Sequence, residues 1–506
     1  MARQQQFRTP LFDAVINYAR EAKISFHTPG HKHGASIPQE FRNFVGERIF
    51  DCDLTLLEEV DSLHDPTSVI KEAQALAASA FGADRAFFLV NGSSAGNHAM
   101  IMSTCRPGDK IIVPRNAHRS VLAGIVLAGA EPVYIMPELA ENHHFMLNVT
   151  PAAVAEALAA NPDARAVLVN HPTYQGVCAD LKTIARLTHD AGALLLVDEA
   201  HGPHLRFHPA LPASAMSCGA DMCVQSTHKI LSGLTQASLL LARRSAYADM
   251  LRRVLTLLTT TSPSYILMAS LDVARMQMAT RGRELLETTV ALAMEARRRI
   301  NQIPGLHCLG REWLGHPGVH SLDMTKLVVD VRGLGETGHA MAKKLNERHG
   351  VQVEYAELDT LLIIVTIGNT SKDIHRLITA LEAEAREAPV RHRPRRPLTL
   401  PAGPPEQVMT PRDAFEALHH RVPLREAAGA VAAETISPYP PGIPLVNPGE
   451  RITPELVAYL QNLQSRGGRL QTQHRRGRRL LRVRIVRGGE EKKATRSACH
   501  PRRKKG

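Results

Sequence analysis

No Cys-x-x-Cys pair occurs anywhere in the 506 residues, and the seven cysteines, at 52, 105, 178, 218, 223, 308 and 499, are scattered and odd in number. In a chain of this length that pattern argues against a disulfide framework and for reduced thiols, so a cytoplasmic protein is expected. Long apolar runs are also missing. None approaches the ~18 residues of a membrane span, and the opening MARQQQFRTP lacks the apolar segment of a signal peptide. Internal repeats are absent as well.

Acidic residues are scarce only at one end. The formal net charge is +12, but residues 466–506 hold 16 Lys or Arg against Glu490 and Glu491, so this tail carries +14 and the rest of the chain −2. A nearly neutral body makes nucleic acid an unlikely partner. The tail reads as a disordered basic segment without a fold of its own.

What the chain does have is a series of short, uniformly apolar runs: AFFLV (86–90), KIIVP (110–114), PVYIM (132–136), AVLVN (166–170), ALLLVD (193–198), MCVQS (222–226) and SLLL (238–241). Uniform rather than alternating runs predict strands buried on both faces of a mainly parallel sheet. Helical patterns fill the gaps, at Val69–Ala80, Ala152–Ala159 and Leu181–Asp190, so the fold class is α/β. A long helix is predicted from Tyr265 to about Asn301, followed by strand-like LVVDV (327–331) and LLIIVTI (361–367). The resulting division is an N-terminal segment (1–60), a large domain (61–262), a smaller α/β domain (263–387), a Pro/Arg-rich linker (388–405), a C-terminal unit (406–465) and the basic tail (466–506).

Ligands of open α/β sheets bind beyond the carboxyl ends of the strands. Four groups stand at such ends. NGSSAGN (91–97) offers Ser93 and Ser94 at a helix start, a cradle for phosphate or simply an N-cap turn. RNAHRS (115–120) offers His118, which could lie over a flat ring or at the surface. DEAHG (198–202) ends an apolar strand in Asp198, where a carboxylate is costly unless a cation or strong donor meets it; a helix cap is an equal alternative. QSTHKILSG (225–233) offers Ser226, His228 and Lys229, a Schiff-base lysine or a solvated loop lysine. Together they form the inventory that pyridoxal 5′-phosphate needs.

With HTPGHKHG (27–34), HPTYQG (171–176) and PYPPGIP (438–444) added, seven motifs in order resemble the Orn/Lys/Arg decarboxylase family, over roughly residues 7 to 450. It is most similar to the shorter members that lack an N-terminal wing domain. The tail after about Leu463 departs from the family's pattern. The resemblance implies pyridoxal-phosphate fold type I with a large seven-stranded sheet domain, a smaller α/β domain and a small C-terminal domain. Lys229 would form the Schiff base, Asp198 would bind the pyridine nitrogen, and His118 would stack on the ring. Ser93, Ser94, Ser226 and His228 would hold the phosphate or its surroundings, His201 would sit beside the cofactor, and Lys229 or His228 would return a proton to Cα. A homodimer or larger homo-oligomer is implied, with Thr260, Thr261 and Ser262 reaching a phosphate across the interface. The implied reaction is α-decarboxylation of arginine, lysine or ornithine, in polyamine metabolism, with Glu434 a candidate for the substrate's distal cation. A fold type I aminotransferase or aldolase would use the same lysine and aspartate. The resemblance implies that HTPGHKHG lies near the active-site entrance; metal binding by its three histidines is the less favoured reading, because Pro29 and Gly30 prevent a regular helix and His31 and His33 would point oppositely in a strand.

Overall fold

The seven apolar runs form one sheet. In chain order its strands are β1 (Arg85–Leu89), β2 (Lys110–Pro114), β3 (Glu131–Ile135), β4 (Ala166–Asn170), β5 (Leu194–Asp198), β6 (Met222–Gln225) and β7 (Ser238–Ala242). The spatial order is β1-β7-β6-β5-β4-β2-β3, parallel throughout except for β7, which runs antiparallel to both its neighbours. This computed structural model describes residues 3–21, 23–140, 145–388, 403–438, 444–466, 470–471 and 482–487.

Uniform apolarity is explained by what lies on each face. Along β5, Leu195 and Val197 enter one apolar core while Leu196 enters the other. Helix Gly92–Thr104 packs so closely on the sheet that a Cβ at Gly96 would stand 2.3 Å from Val224 Cγ2. Any side chain there would push the helix, and the first turn it carries, off β6.

Helix Tyr265–Ile300 has 36 residues, a length of roughly 54 Å at 1.5 Å per residue. Its first half, through Leu286, is buried in the core of the large sheet, and Ala293, Ala296 and Ile300 belong to a second core. That core lies under an antiparallel sheet in the order Tyr355–Ala356, Thr360–Ile364, Lys326–Asp330, His307–Cys308. Leu327 and Val329 face helices Gly338–His349 and Ser371–Glu387. Val328, Tyr355 and Leu362 face the other way, onto Phe145, Leu147 and Val177 of the large unit. The small sheet therefore presents one face directly to the loops beyond β4.

The C-terminal core gathers Leu424, Ile436, Val446, Leu460 and Val483, and takes in Leu358 from the hairpin of the small sheet. Here one expectation is corrected. The basic tail, read as having no fold, contains a strand, Arg482–Val486, which pairs antiparallel with His419–Pro423. Val483 and Ile485 are buried, and Glu434 Oε1 accepts from the backbone N–H of Arg484 at 2.8 Å. Alternation puts the apolar pair inward and the arginines outward, so the charge does not oppose pairing. Residues 389–402, most of the expected linker, lie outside the described residues, as do residues 439–443 of PYPPGIP. Among the described residues, no helix is long and apolar enough to cross a membrane.

Candidate active site

The carboxyl ends of β1, β2, β4, β5 and β6 open into one cleft, lined among others by Ser93, His118, Tyr174, Asp198, His201 and Lys229. Parallel pairing sets Asp198 opposite Val224, so the residues just after β6 stand beside the end of β5. That register brings Asp198 and Lys229 to one side of the cleft.

Asp198 is 7% exposed. Its Oδ2 accepts from Asn97 Nδ2 at 2.8 Å and its Oδ1 from the Ala200 N–H at 3.1 Å. Among the described residues, no cation lies within ion-pair distance of it. A buried carboxylate held only by neutral donors is suited to a cationic partner that arrives from outside the chain. Asn97, fully buried, also donates to Ser120 Oγ at 2.9 Å and ties the helix after β1 to the helix after β2.

Lys229 sits in the short helix Thr227–Ile230, with Nζ 2.9 Å from His201 Nε2 and 5.3 Å from the centre of the Tyr174 ring. Burial lowers its pKa, against the opposing charges of Asp198 and Glu354. The His201 ring is held well below its ordinary value by burial and by the cation of Lys229. It is therefore neutral, with Nε2 turned to the lysine, and Tyr174 covers it at a centroid distance of 4.3 Å. An amine with a lowered pKa is a better nucleophile near neutrality.

His118 caps helix Arg119–Ala128, its Nδ1 accepting from the Ser120 N–H at 3.2 Å. The bond assigns the ring proton to Nε2. Burial lowers its pKa, with Asp198 opposing. Ser226 Oγ donates to Ser93 Oγ at 2.9 Å, so β6 and the first turn of helix Gly92–Thr104 present two hydroxyls and free backbone N–H groups together.

The remaining expectations divide. Ser94 lies in the same first turn but does not line the cleft. His228 is turned away, its Nδ1 donating to the Ala237 carbonyl at 3.0 Å. Thr260, Thr261 and Ser262 are exposed and outside the cleft of the single chain. Glu434 is 2% exposed in the C-terminal core, bound to the tail strand, which corrects the expectation that it meets a substrate. The histidines of HTPGHKHG go to separate partners: His27 to the Tyr18 hydroxyl, His31 to Asp53 and His33 toward Asp51.

Sequence reasoning missed Asn97, Tyr174 and Lys326. Asn97 had a signal, as a polar residue on the same helix face as the apolar Met100 and Ile101, three and four positions later. Lys326 is 2% exposed, and burial brings its pKa down to about 8, with Asp323 opposing. It passes beneath the HPTYQG loop, where a Cβ on Gly176 (φ +87°) would meet Lys326 Cγ and the Asp323 carbonyl at 2.9 Å.

A seven-stranded, mostly parallel sheet with its cleft at the strand ends, a smaller α/β layer and a C-terminal unit define an enzyme of fold type I. The sequence profile of the Orn/Lys/Arg decarboxylase major domain matches residues 9–373, and that of the same family's C-terminal domain matches residues 399–470. The chain is 46% identical over 459 residues to an arginine decarboxylase of Bacillus subtilis, covering 90% of this chain and 93% of that protein. It is 45% identical over 464 residues to an arginine decarboxylase of Halalkalibacterium halodurans, covering 91% and 94%. Among solved structures, lysine decarboxylase A from Pseudomonas aeruginosa superimposes with a TM-score of 0.83 at 25% identity, over 96% of this chain and 81% of that one. The chain belongs to the Orn/Lys/Arg decarboxylase family, and it is a decarboxylase.

Proposed function

We propose that this enzyme is a cytoplasmic, pyridoxal-phosphate-dependent arginine decarboxylase that forms agmatine for polyamine metabolism and works as a homodimer. The observation that carries the reading is the cleft itself: a half-buried amine of lowered pKa on the same side as a buried carboxylate without an ion-pair partner, with two hydroxyls at a helix start nearby. Arginine is preferred over lysine and ornithine because relatives named arginine decarboxylases reach 46% identity, against 27% for those named lysine decarboxylases.

The residues fit the cofactor by their chemistry. Lys229 is the amine for its aldehyde and Asp198 the partner for its ring nitrogen. His118 would be the ring to stack on it, and Ser93 and Ser226 with the helix N–H groups would be the phosphate cradle. When bound, pyridoxal phosphate supplies a carbonyl that condenses with amines and a protonated ring that accepts the electron pair left when the bond from Cα to carboxylate breaks. Asp198 would keep a proton on the ring nitrogen, its carboxylate held in place by Asn97 Nδ2 and the Ala200 N–H. Lys229 Nζ, within reach of His201 Nε2, holds the proton returned to Cα. His228 is less suited, because its Nδ1 is engaged by Ala237. Tyr174 excludes water from above His201.

A second copy is supported by large apolar side chains left open on one chain, with Phe26 94%, Ile24 87% and Phe44 86% exposed. Thr260, Thr261 and Ser262 are also exposed, as reaching a partner's cleft requires.

The test is carbon dioxide release from L-arginine, L-lysine, L-ornithine and norleucine by protein supplied with the cofactor, with keto acid followed in parallel. Arginine should lead. Norleucine should be slower by about 100-fold, on the order of 3 kcal/mol. Keto acid without carbon dioxide would turn the assignment to an aminotransferase.

A further inference from the structure

The HPTYQG motif contributes a residue with no role so far. Gln175 lines the cleft and is 6% exposed. Its Nε2 donates to the Tyr355 hydroxyl at 2.8 Å and reaches Glu357 Oε1 at 3.4 Å. A glutamine amide has two donor hydrogens and one acceptor oxygen. Both hydrogens point to the small sheet, so the end left for the cleft is the oxygen. The orientation follows from the bonding network: Tyr355 and Glu357 together hold the amide with its acceptor forward.

The group behind the amide is unusual. Glu357 sits in the hairpin between the last two strands of the small sheet, with contacts to Thr360 Oγ1 at 3.3 Å and Tyr355 Oη at 3.5 Å. Every contact is long and comes from a neutral donor. Burial pushes its pKa up to about 8, so its carboxyl is mostly protonated at neutral pH and the network carries little charge while the cleft is empty. Its tip neighbour Leu358 is anchored in the C-terminal core, which fixes the hairpin against both other units.

We infer that Gln175, held by Tyr355 and Glu357, is the specificity-determining residue that accepts a hydrogen bond from the distal cation of the substrate. This inference rests on the proposed basic amino acid substrate. Gln175 touches the substrate; Tyr355 and Glu357 are positioning residues. The carbonyl end of an amide tolerates a guanidinium or an ammonium and offers nothing to an alkyl chain. A cation bound in front of it is also favoured by the carboxyl behind it, whose ionised form the cation stabilises.

The experiment compares agmatine, which bears a guanidinium, with pentylamine, which does not, by titration calorimetry on the holoenzyme. The parent amino acids of these two amines, arginine and norleucine, are compared by kcat/KM. Wild type should bind agmatine more tightly. In Gln175→Met the ratio of the two affinities should fall at least fivefold, with the loss in KM rather than kcat and the visible spectrum of the bound cofactor unchanged. Tyr355→Phe, which leaves the amide free to turn, should lower the ratio at least twofold and decides the matter if Gln175→Met does not fold. A smaller change in the variant that decides, or no preference for agmatine in wild type, overturns the inference. Wild type that binds agmatine preferentially but releases no carbon dioxide from arginine overturns the proposed reaction and leaves the cation site standing.

Discussion

Glu199, the residue after Asp198, should make the stability of the enzyme depend on pH in a way that Glu199→Gln removes. The side chain is fully buried, with Oε1 accepting from the Ala215 N–H and Oε2 from Gln225 Nε2, each at 2.6 Å. Burial raises its pKa from 4.5 to about 7. Because the folded value is the higher one, the native state binds a proton that the unfolded chain releases between about pH 4.5 and 7. Stability from this group is complete below the unfolded value and is lost as pH rises through the folded one. A difference of about 2.5 in pKa corresponds to about 3 kcal/mol. Glutamine does not titrate, and Gln225 Oε1, buried without a partner, can accept from the new amide if the Gln225 amide turns over. The advantage of Glu199→Gln over wild type should therefore grow by about 3 kcal/mol between pH 5 and 8, a few degrees in melting temperature for a protein of this size. Thermal melts of both proteins at the two pH values provide the assay. The difference between them is the useful quantity, because Glu357 contributes a slope of the same sign to each. A melting difference that stays constant to within a degree from pH 5 to 8 refutes the argument.

Two further outcomes are expected. Lys229→Ala should still bind pyridoxal phosphate through the serines and backbone but lose the borohydride-reducible link, and peptide mapping that finds label on another lysine would move the assignment. Truncation after Gln464 removes the strand that pairs with His419–Pro423 and covers Glu434. It should make the C-terminal unit susceptible to limited proteolysis, with residues 7–388 remaining resistant; unchanged digestion would show that the strand adds nothing.

The large sheet was legible because each strand is a run of like residues: KIIVP and AVLVN coincide with β2 and β4, and the others differ by a residue or two. Lys229, Asp198, His118, His201, Ser93 and Ser226 could be placed together because strand ends are where a parallel sheet gathers its loops. The tail strand was hidden by averaging: the alternation of RVRIV occupies five residues of a 41-residue segment dominated by arginine. Glu434 was misread because nothing local tells a carboxylate at a cleft from one that caps a strand about fifty residues later. Gln175 and Glu357 escaped notice for a similar reason, since their relation exists only once the small sheet lies on the loop beyond β4.

Arg115, in the loop that also holds His118, forms a fully buried pair with Glu450 and donates to the Leu445 carbonyl at 2.7 Å. The two partners are 335 positions apart in the chain. A ribosome adding roughly 5–20 residues per second needs a quarter of a minute or more to span that distance. During that time the large sheet can form, but Arg115 has no counter-charge and the loop ahead of His118 lacks its brace. The cleft is thus braced by a segment made 335 residues after the loop it supports, and a nascent chain should bind the proposed cofactor only after synthesis has passed Glu450.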